Sequence, residues 1–170
     1  RAIGVILIGQ WRHHDQLNQM AARKVPIVVW GAQIPQQLYV TVGSDNVAGG
    51  RLACSHLLQQ GRRRIAFFGD VQLPEVAHRY QGYCQALAAA GIAVDESLVL
   101  PAAFTEEGAR LAVETLQSRV SSFDAVFACS DLLAMTAINL FRQAGLRVPE
   151  DVAVVGYDDI ALARYFHPPL

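Results

Sequence analysis

Ala125-Val126-Phe127-Ala128-Cys129-Ser130-Asp131 is the stretch on which the fold turns. Five consecutive apolar residues without polar alternation describe a strand covered on both faces. Ser130-Asp131 then opens a segment in which Ala134, Ile138 and Phe141 recur at helical spacing, and Gly145 is suited to a left-handed stop. Val152-Ala153-Val154-Val155 is a second apolar run. Strand, helix and strand in that order make one right-handed crossover of a parallel sheet.

The same grammar extends to both sides. Ile3 to Ile8, Ile27 to Trp30, Ile65 to Phe68 and Leu98 to Leu100 are further strand-like runs. Between them lie helical patterns at Leu17, Met20 and Ala21; Val47, Cys54, Leu57 and Leu58; Tyr80, Tyr83, Cys84 and Leu87; and Ala109, Ala112, Val113 and Leu116. Gly61 and Gly91 follow two of these patterns as Gly145 follows the last. An α/β fold with parallel sheets flanked by helices is expected. One connection breaks the rhythm: Gly31 to Tyr39 carries one proline, Pro35, and three glutamines and leads into Val40-Thr41-Val42 without a helix of its own. We read it as carrying the chain from one sheet towards another, with a helix starting near Asp45-Asn46. Gly156 to Leu170 is too irregular for another helix-strand unit and reads as a second crossing. Residues 1–44 would then supply two strands and one helix of a partial unit, residues 45–157 a nearly complete one, and residues 158–170 the return segment.

Composition bounds the function. The 170 residues carry 14 Lys and Arg against 15 Asp and Glu, and 52% are hydrophobic, which excludes a disordered chain and leaves no global field for nucleic acid or an acidic membrane. No apolar stretch approaches the roughly 20 residues of a membrane helix, so a soluble chain is expected. Without an initiating Met or a signal-like start, the sequence reads as part of something longer. Cys54, Cys84 and Cys129 are widely spaced with no CxxC, which favours reduced, buried thiols and a cytoplasmic location.

In open α/β sheets ligands bind beyond the carboxyl ends of the strands. That rule selects Gln10 to Arg12, Trp30, Asp70, Phe104, Ser130-Asp131 and Asp158-Asp159, a mixture of aromatic, carboxylate and hydroxyl groups suited to gripping a small polar ligand. Several have plainer readings. Trp30 and Phe104 could be core, Ser130 and Asp131 a helix cap and first-turn carboxylate, and Asp158 a turn residue. Arg62-Arg63-Arg64 reads as solvated charge at a helix end, and His13-His14-Asp15 as a solvated first turn rather than a metal site. With no GxSxG elbow, phosphate-binding loop, GxGxxG or zinc spacing, neither an enzyme nor a bound cofactor or metal is expected.

Six motifs taken together carry a family resemblance. Asp45-Asn46-Val-Ala-Gly49-Gly50, Gly61-Arg-Arg-Arg-Ile-Ala66, Arg79-Tyr-Gln-Gly82-Tyr83, Asp124 to Asp131, Gly145 to Asp159 and the closing Pro168-Pro169-Leu170 resemble, in order and spacing, the core of the LacI/GalR family of bacterial transcriptional regulators. The resemblance implies a periplasmic-binding-protein-like core of two α/β subdomains joined by three crossing segments, with an effector in the cleft between them. It also implies homodimers or tetramers, and operator DNA contacted through a helix-turn-helix headpiece absent from this sequence. Arg79 and Asp158 fall where sugar-binding relatives clasp adjacent hydroxyls; a guanidinium fork and a carboxylate suit that task. Asp45 falls at the first crossing, Phe104 at a ring that stacks on the ligand with Trp30 flanking it, and Ser130 after a strand. Ser130 departs from the Asn of many sugar-responsive relatives and offers fewer fixed donors. A sugar or sugar derivative is the expected ligand, a nucleoside or purine a second class, and another small polar ligand the remaining alternative. Leu132, Met135, Leu140, Tyr165 and Phe166, together with Leu133, exceed one buried helical stripe and are the expected dimer contacts. The rival from another class is a periplasmic solute-binding protein of a transporter.

Overall fold

Residues 3–10, 12–120 and 122–170 are described by a computed structural model. Strands and helices alternate along it: β1 (Val5–Ile8), α1 (His14–Ala22), β2 (Ile27–Trp30), β3 (Val40–Val42), α2 (Asn46–Gln59), β4 (Ile65–Phe68), α3 (Pro74–Ala89), β5 (Val99–Leu100), α4 (Glu106–Arg119), β6 (Ala125–Ala128), α5 (Asp131–Gln143) and β7 (Ala153–Val155). They form two parallel sheets, one ordered β1-β2-β3 and the other β5-β4-β6-β7. The expectation of two strands before residue 45 is corrected. Val40–Val42 adds a third, in register with Val28, Val29 and Trp30.

The second sheet is covered on both faces, as its unbroken apolar runs require. Ala66, Phe68, Val126 and Ala128 pack against Ala109, Ala112 and Leu116 of α4 and Leu133, Ala137 and Phe141 of α5. Ile65, Phe67 and Phe127 face the other way, against Cys54 and Leu57 of α2 and Val76, Tyr83 and Leu87 of α3. Each buried Phe or Leu contributes about 1.5–3 kcal/mol. The Tyr83 hydroxyl, the polar tip of an otherwise apolar residue, donates to the Ile65 carbonyl at 2.8 Å. Burial pushes the Cys54 thiol up to about 12, with Cys84 adding to it, and also raises Cys129, so both behave as small hydrophobes.

Helices α2 and α3 touch backbone to backbone. A Cβ on Gly82 would stand 2.1 Å from the Val47 carbonyl oxygen, and one on Gly50 would stand 2.1 Å from that of Arg79. This approach seats Arg79 beside the start of α2. At the far end of α2 the chain turns at Gly61, φ +86°, and the Arg62 N–H returns to the Leu57 carbonyl at 3.1 Å.

The first sheet differs. Ile27 and Val29 pack with Leu17 of α1 and with Tyr39 in one cluster. The opposite face is bare, and the register lines up Ile6, Val28 and Val40 in one row and Ile8, Trp30 and Val42 in the next. Ile6 is 80% and Ile8 81% exposed. Burial on both faces, read from the apolar runs, therefore does not hold here.

Other plain readings also change. The Arg62 guanidinium is not merely solvated: it donates to the Pro149 carbonyl at 2.6 Å and to those of Asp124 and Glu150 at 3.3 Å. Asp124 in turn accepts the Arg63 and Arg64 amides. His14 is hydrogen-bonded through Nδ1 to the Tyr39 hydroxyl at 3.0 Å. Met135, expected at a dimer contact, is only 6% exposed, and Leu133 is fully buried in the core between α5 and the sheet. Leu140 is half-buried against the same core. Leu132 and Tyr165 are exposed and Phe166 partly so. The last segment folds back over α5, with the Arg142 guanidinium donating to the His167 carbonyl at 2.7 Å.

Candidate functional site

A cleft of about 290 Å³ lies where the carboxyl ends of the two sheets face each other. Ile8, Gly9 and Trp30 line it from the first sheet. Leu73, Glu75 and Arg79 of the α3 region, Phe104, Ser130 and Asp158 line it from the second. A larger trough of about 540 Å³ runs along β7 and involves no residue of the first sheet.

Arg79 is the best-anchored charge in the cleft. It sits in the second turn of α3, 9% exposed. Its Nε donates to Asn46 Oδ1 at 2.8 Å, and its Nη1 donates to the Cys129 carbonyl. The guanidinium carbon lies 3.7 Å from the centre of the Tyr157 ring, a cation–π contact. Nη2 is left pointing at Asp158 Oδ1, 3.9 Å away. Three fixed partners hold the fork rigid, an arrangement that leaves little ordering to be done on contact with another group.

Asp158 is held by its backbone. Its φ of +106° and the +52° of Asp159 place two consecutive non-glycine residues in left-handed conformations. Such strain costs about 1–3 kcal/mol per residue and persists only where the surroundings enforce it. The enforcing group is Asp131: its amide donates to the Tyr157 carbonyl at 2.9 Å, and its carboxylate accepts the Ile160 amide at 2.8 Å. The turn that presents Asp158 is thus pinned to the start of α5. Burial raises the Asp158 carboxyl above its ordinary value; Arg79 opposes the rise and Asp131 adds to it.

The structure brings Arg79, Phe104, Ser130, Asp158 and Trp30 to one cleft. Phe104, between β5 and α4, also packs on both core clusters, so it is wall and core at once. Ser130 lines the cleft and caps α5, accepting the Leu133 amide at 3.3 Å. Asp45 is not brought there. Its carboxylate caps α2 by accepting the Ala48 amide at 2.9 Å, and it faces a neighbouring hollow. Gln10 is buried and bonded to the Ala32 backbone in both directions, a loop pin rather than a ligand group. Asp70 pairs with Arg12 at 3.5 Å across the two sheets. Trp11, within the same selected stretch, lies outside the described residues.

Three residues of the site escaped sequence reasoning. Asn46 and Tyr157 stand 111 residues apart, yet both hold Arg79, and the Tyr157 hydroxyl reaches Asn46 Oδ1 at 3.4 Å. Both lie inside motifs quoted above, the only signal that could have found them. Glu75 follows Pro74 in the first turn of α3, where an acid is ordinary helix chemistry. Among the described residues no group of His, Cys, Asp and Glu is placed to hold a metal, and no helix is long and apolar enough to cross a membrane.

Comparison with known proteins supplies the family. Residues 54–170 match the model of a periplasmic binding protein-like domain. The chain is 42% identical over 171 residues to the HTH-type transcriptional regulator CelR of Thermobifida fusca, an alignment covering 98% of this chain and 50% of that protein. The solved complex of the transcriptional regulator CelR with cellobiose superposes with a TM-score of 0.91 at 38% identity, covering 100% of this chain and 53% of the other. A LacI family transcriptional regulator from Enterococcus faecium with bound ribose gives 0.85 at 29% identity, covering 99% and 63%. The chain thus spans about half the length of CelR. With these relatives and the two-sheet architecture in hand, the chain belongs to the LacI/GalR family of transcriptional regulators, as a periplasmic-binding-protein-like domain.

Proposed function

We propose that this domain senses a small polar effector, a sugar or sugar derivative, in the cleft between its two sheets, and that occupancy modulates operator binding by a DNA-binding segment outside this sequence. The observation that carries the reading is the Arg79–Asp158 pair in a cleft walled by Phe104 on the same side and by Trp30 from the first sheet. A fork of donors beside a carboxylate suits vicinal hydroxyls, and flanking rings suit the apolar faces of a pyranose or furanose. The relatives crystallised with cellobiose and with ribose support the ligand class.

The mechanism follows from where the groups sit. Trp30 ends a strand of the first sheet, while Arg79, Phe104 and Asp158 belong to the second sheet and its connections, so a ligand touching both favours the arrangement that brings them together. A ligand shifts such an equilibrium only by its unequal affinity for the two states, typically about 1–3 kcal/mol of coupling. A symmetric dimer would transmit the change to two operator half-sites. Leu132 and Tyr165, both exposed, are the contacts retained for it, and Met135 is withdrawn.

The test is calorimetry and thermal shift of the intact protein with cellobiose, ribose and related sugars. A ligand at 100 times its dissociation constant adds about 2.7 kcal/mol of stability. Arg79→Ala and Asp158→Asn are each expected to weaken binding by about 1.5–3 kcal/mol, the worth of a hydrogen bond between a ligand hydroxyl and a charged group. Undiminished affinity in both variants refutes the site.

A further inference from the structure

We propose that the cleft selects an uncharged, polyhydroxylated ligand against the phosphorylated or carboxylated form of the same sugar, and that Glu75 sets this selection. The inference rests on the sugar-sensing reading above.

The charges lining the cleft are one guanidinium, Arg79, and two carboxylates, Glu75 and Asp158. The guanidinium is largely committed: Nε to Asn46, Nη1 to the Cys129 carbonyl, and Nη2 towards Asp158. An anion would have to displace Asp158 to reach it. Two helix N-termini also border the cleft, those of α3 and α5, and bare N-termini attract anions. Here each already carries a carboxylate in its first turn, Glu75 and Asp131 respectively, so the dipole's positive end is compensated from within the chain.

Glu75 differs from the other two acids. Asp131 accepts the Ile160 amide and Asp158 faces Arg79, whereas Glu75 has no hydrogen bond or ion pair among the described residues. It is half-buried, and its Oε1 would stand 2.9 Å from a Cβ on Gly31, so it reaches across from α3 to the end of the first sheet. A carboxylate in that place can only accept hydrogen bonds. Ligand hydroxyls satisfy it, and a phosphate or carboxylate meets like charge, an arrangement that discriminates by repulsion as well as attraction.

The experiment is titration calorimetry of the intact protein with matched probes: cellobiose and cellobiose 6-phosphate, ribose and ribose 5-phosphate, glucose and glucuronate. In a pair that binds, the neutral sugar is expected to be at least about tenfold tighter, a difference of about 1.4 kcal/mol. Glu75→Gln keeps the shape and should bring the two members closer to equal affinity, with only a small fall in melting temperature from the lost first-turn charge, and Glu75→Lys should go further and admit the phosphate. A charged probe that matches or exceeds its neutral partner in the unaltered protein overturns the selection while leaving the sugar reading intact. An unchanged ratio in both variants overturns the role of Glu75. If neither member of any pair binds, the sugar reading itself falls and this inference with it.

Discussion

The two sheets are built from similar residues and end up in different surroundings. Val5–Ile8 and Ile27–Trp30 are as apolar as Ile65–Phe68 and Ala125–Ala128, yet the first pair alternates between covered and bare while the second pair is buried at every position. Four helices sandwich the second sheet, whereas α1 covers one face of the first. The cleft inherits the contrast. Its charged groups are set in the well-packed unit, where Arg79 and the Asp158 turn are pinned by Asn46, Cys129, Tyr157 and Asp131, and its Trp30 wall stands on the thinly supported one. Under the proposed function, with the charged pair held on the rigid side and a wall on the other, relative movement would change affinity without remaking the pair.

The contrast can be broken by mutation, beginning with the largest effect. Phe127→Ala, at a position with no exposure between Phe67 and Tyr157, is expected to cost about 3–5 kcal/mol, read as a fall in denaturant midpoint. Gly82→Ala forces a methyl against the Val47 carbonyl and should cost about 1–3 kcal/mol. It should also weaken ligand binding, because Arg79 rides on the same helix contact. A Gly82→Ala protein with unchanged stability and affinity would separate that contact from the site.

Asp158→Gly sharpens the comparison by acting in two directions. Glycine accepts the +106° φ, so the fold should gain about 1 kcal/mol while the ligand loses its acceptor. Asp158 also has a pH signature. Its carboxyl is raised above the ordinary 3.8 by burial, so the folded state holds the proton more tightly than the unfolded one. The associated stabilisation is complete below the unfolded value and is lost as pH rises through the folded value. If Asp158 accepts from the ligand as proposed, binding runs the other way and is expected to decline as pH falls through that raised value. Calorimetry across that window on the unaltered protein should show the decline, and a flat profile would remove Asp158 from ligand contact. The smallest effect is expected on the bare face: Ile6→Ser should move stability by less than about 0.5 kcal/mol. A loss comparable to that of Phe127→Ala would mean that the face is covered in solution.

Much of this was legible in the residues. Unbroken apolar runs marked the strands of the second sheet, and Gly61, Gly91 and Gly145, all at positive φ, marked the ends of three helices. Arg79, Phe104, Ser130 and Asp158 were placed after strands or at helix starts by the rule for open α/β sheets and by family motifs. Apolar residues on both sides of a strand cannot say which side is covered, so the bare face of β1–β3 was not visible. Arg62 and Arg64 looked solvated because the carbonyls of Ser122, Asp124, Pro149 and Glu150 that they meet are backbone groups that no sequence pattern announces, and the Asp95 carboxylate paired with Arg64 lies 31 residues away. Met135 looked like a surplus apolar residue because Leu133, Ala137 and Phe141 already form the stripe that faces the sheet, and its burial lies outside that cluster.

Sequence alone determined the alternation of strand and helix, because periodicity and caps act within a few residues along the chain, and it determined which residue types could meet a polar ligand. Tertiary structure decided which of them share one cleft. It joined Asn46 to Arg79 and Tyr157, moved Asp45 aside to cap α2, strained Asp158 into the cleft and brought Glu75 to the rim of the first sheet. Those outcomes depend on contacts between residues far apart in the chain, where packing and burial, rather than local propensity, choose the partner.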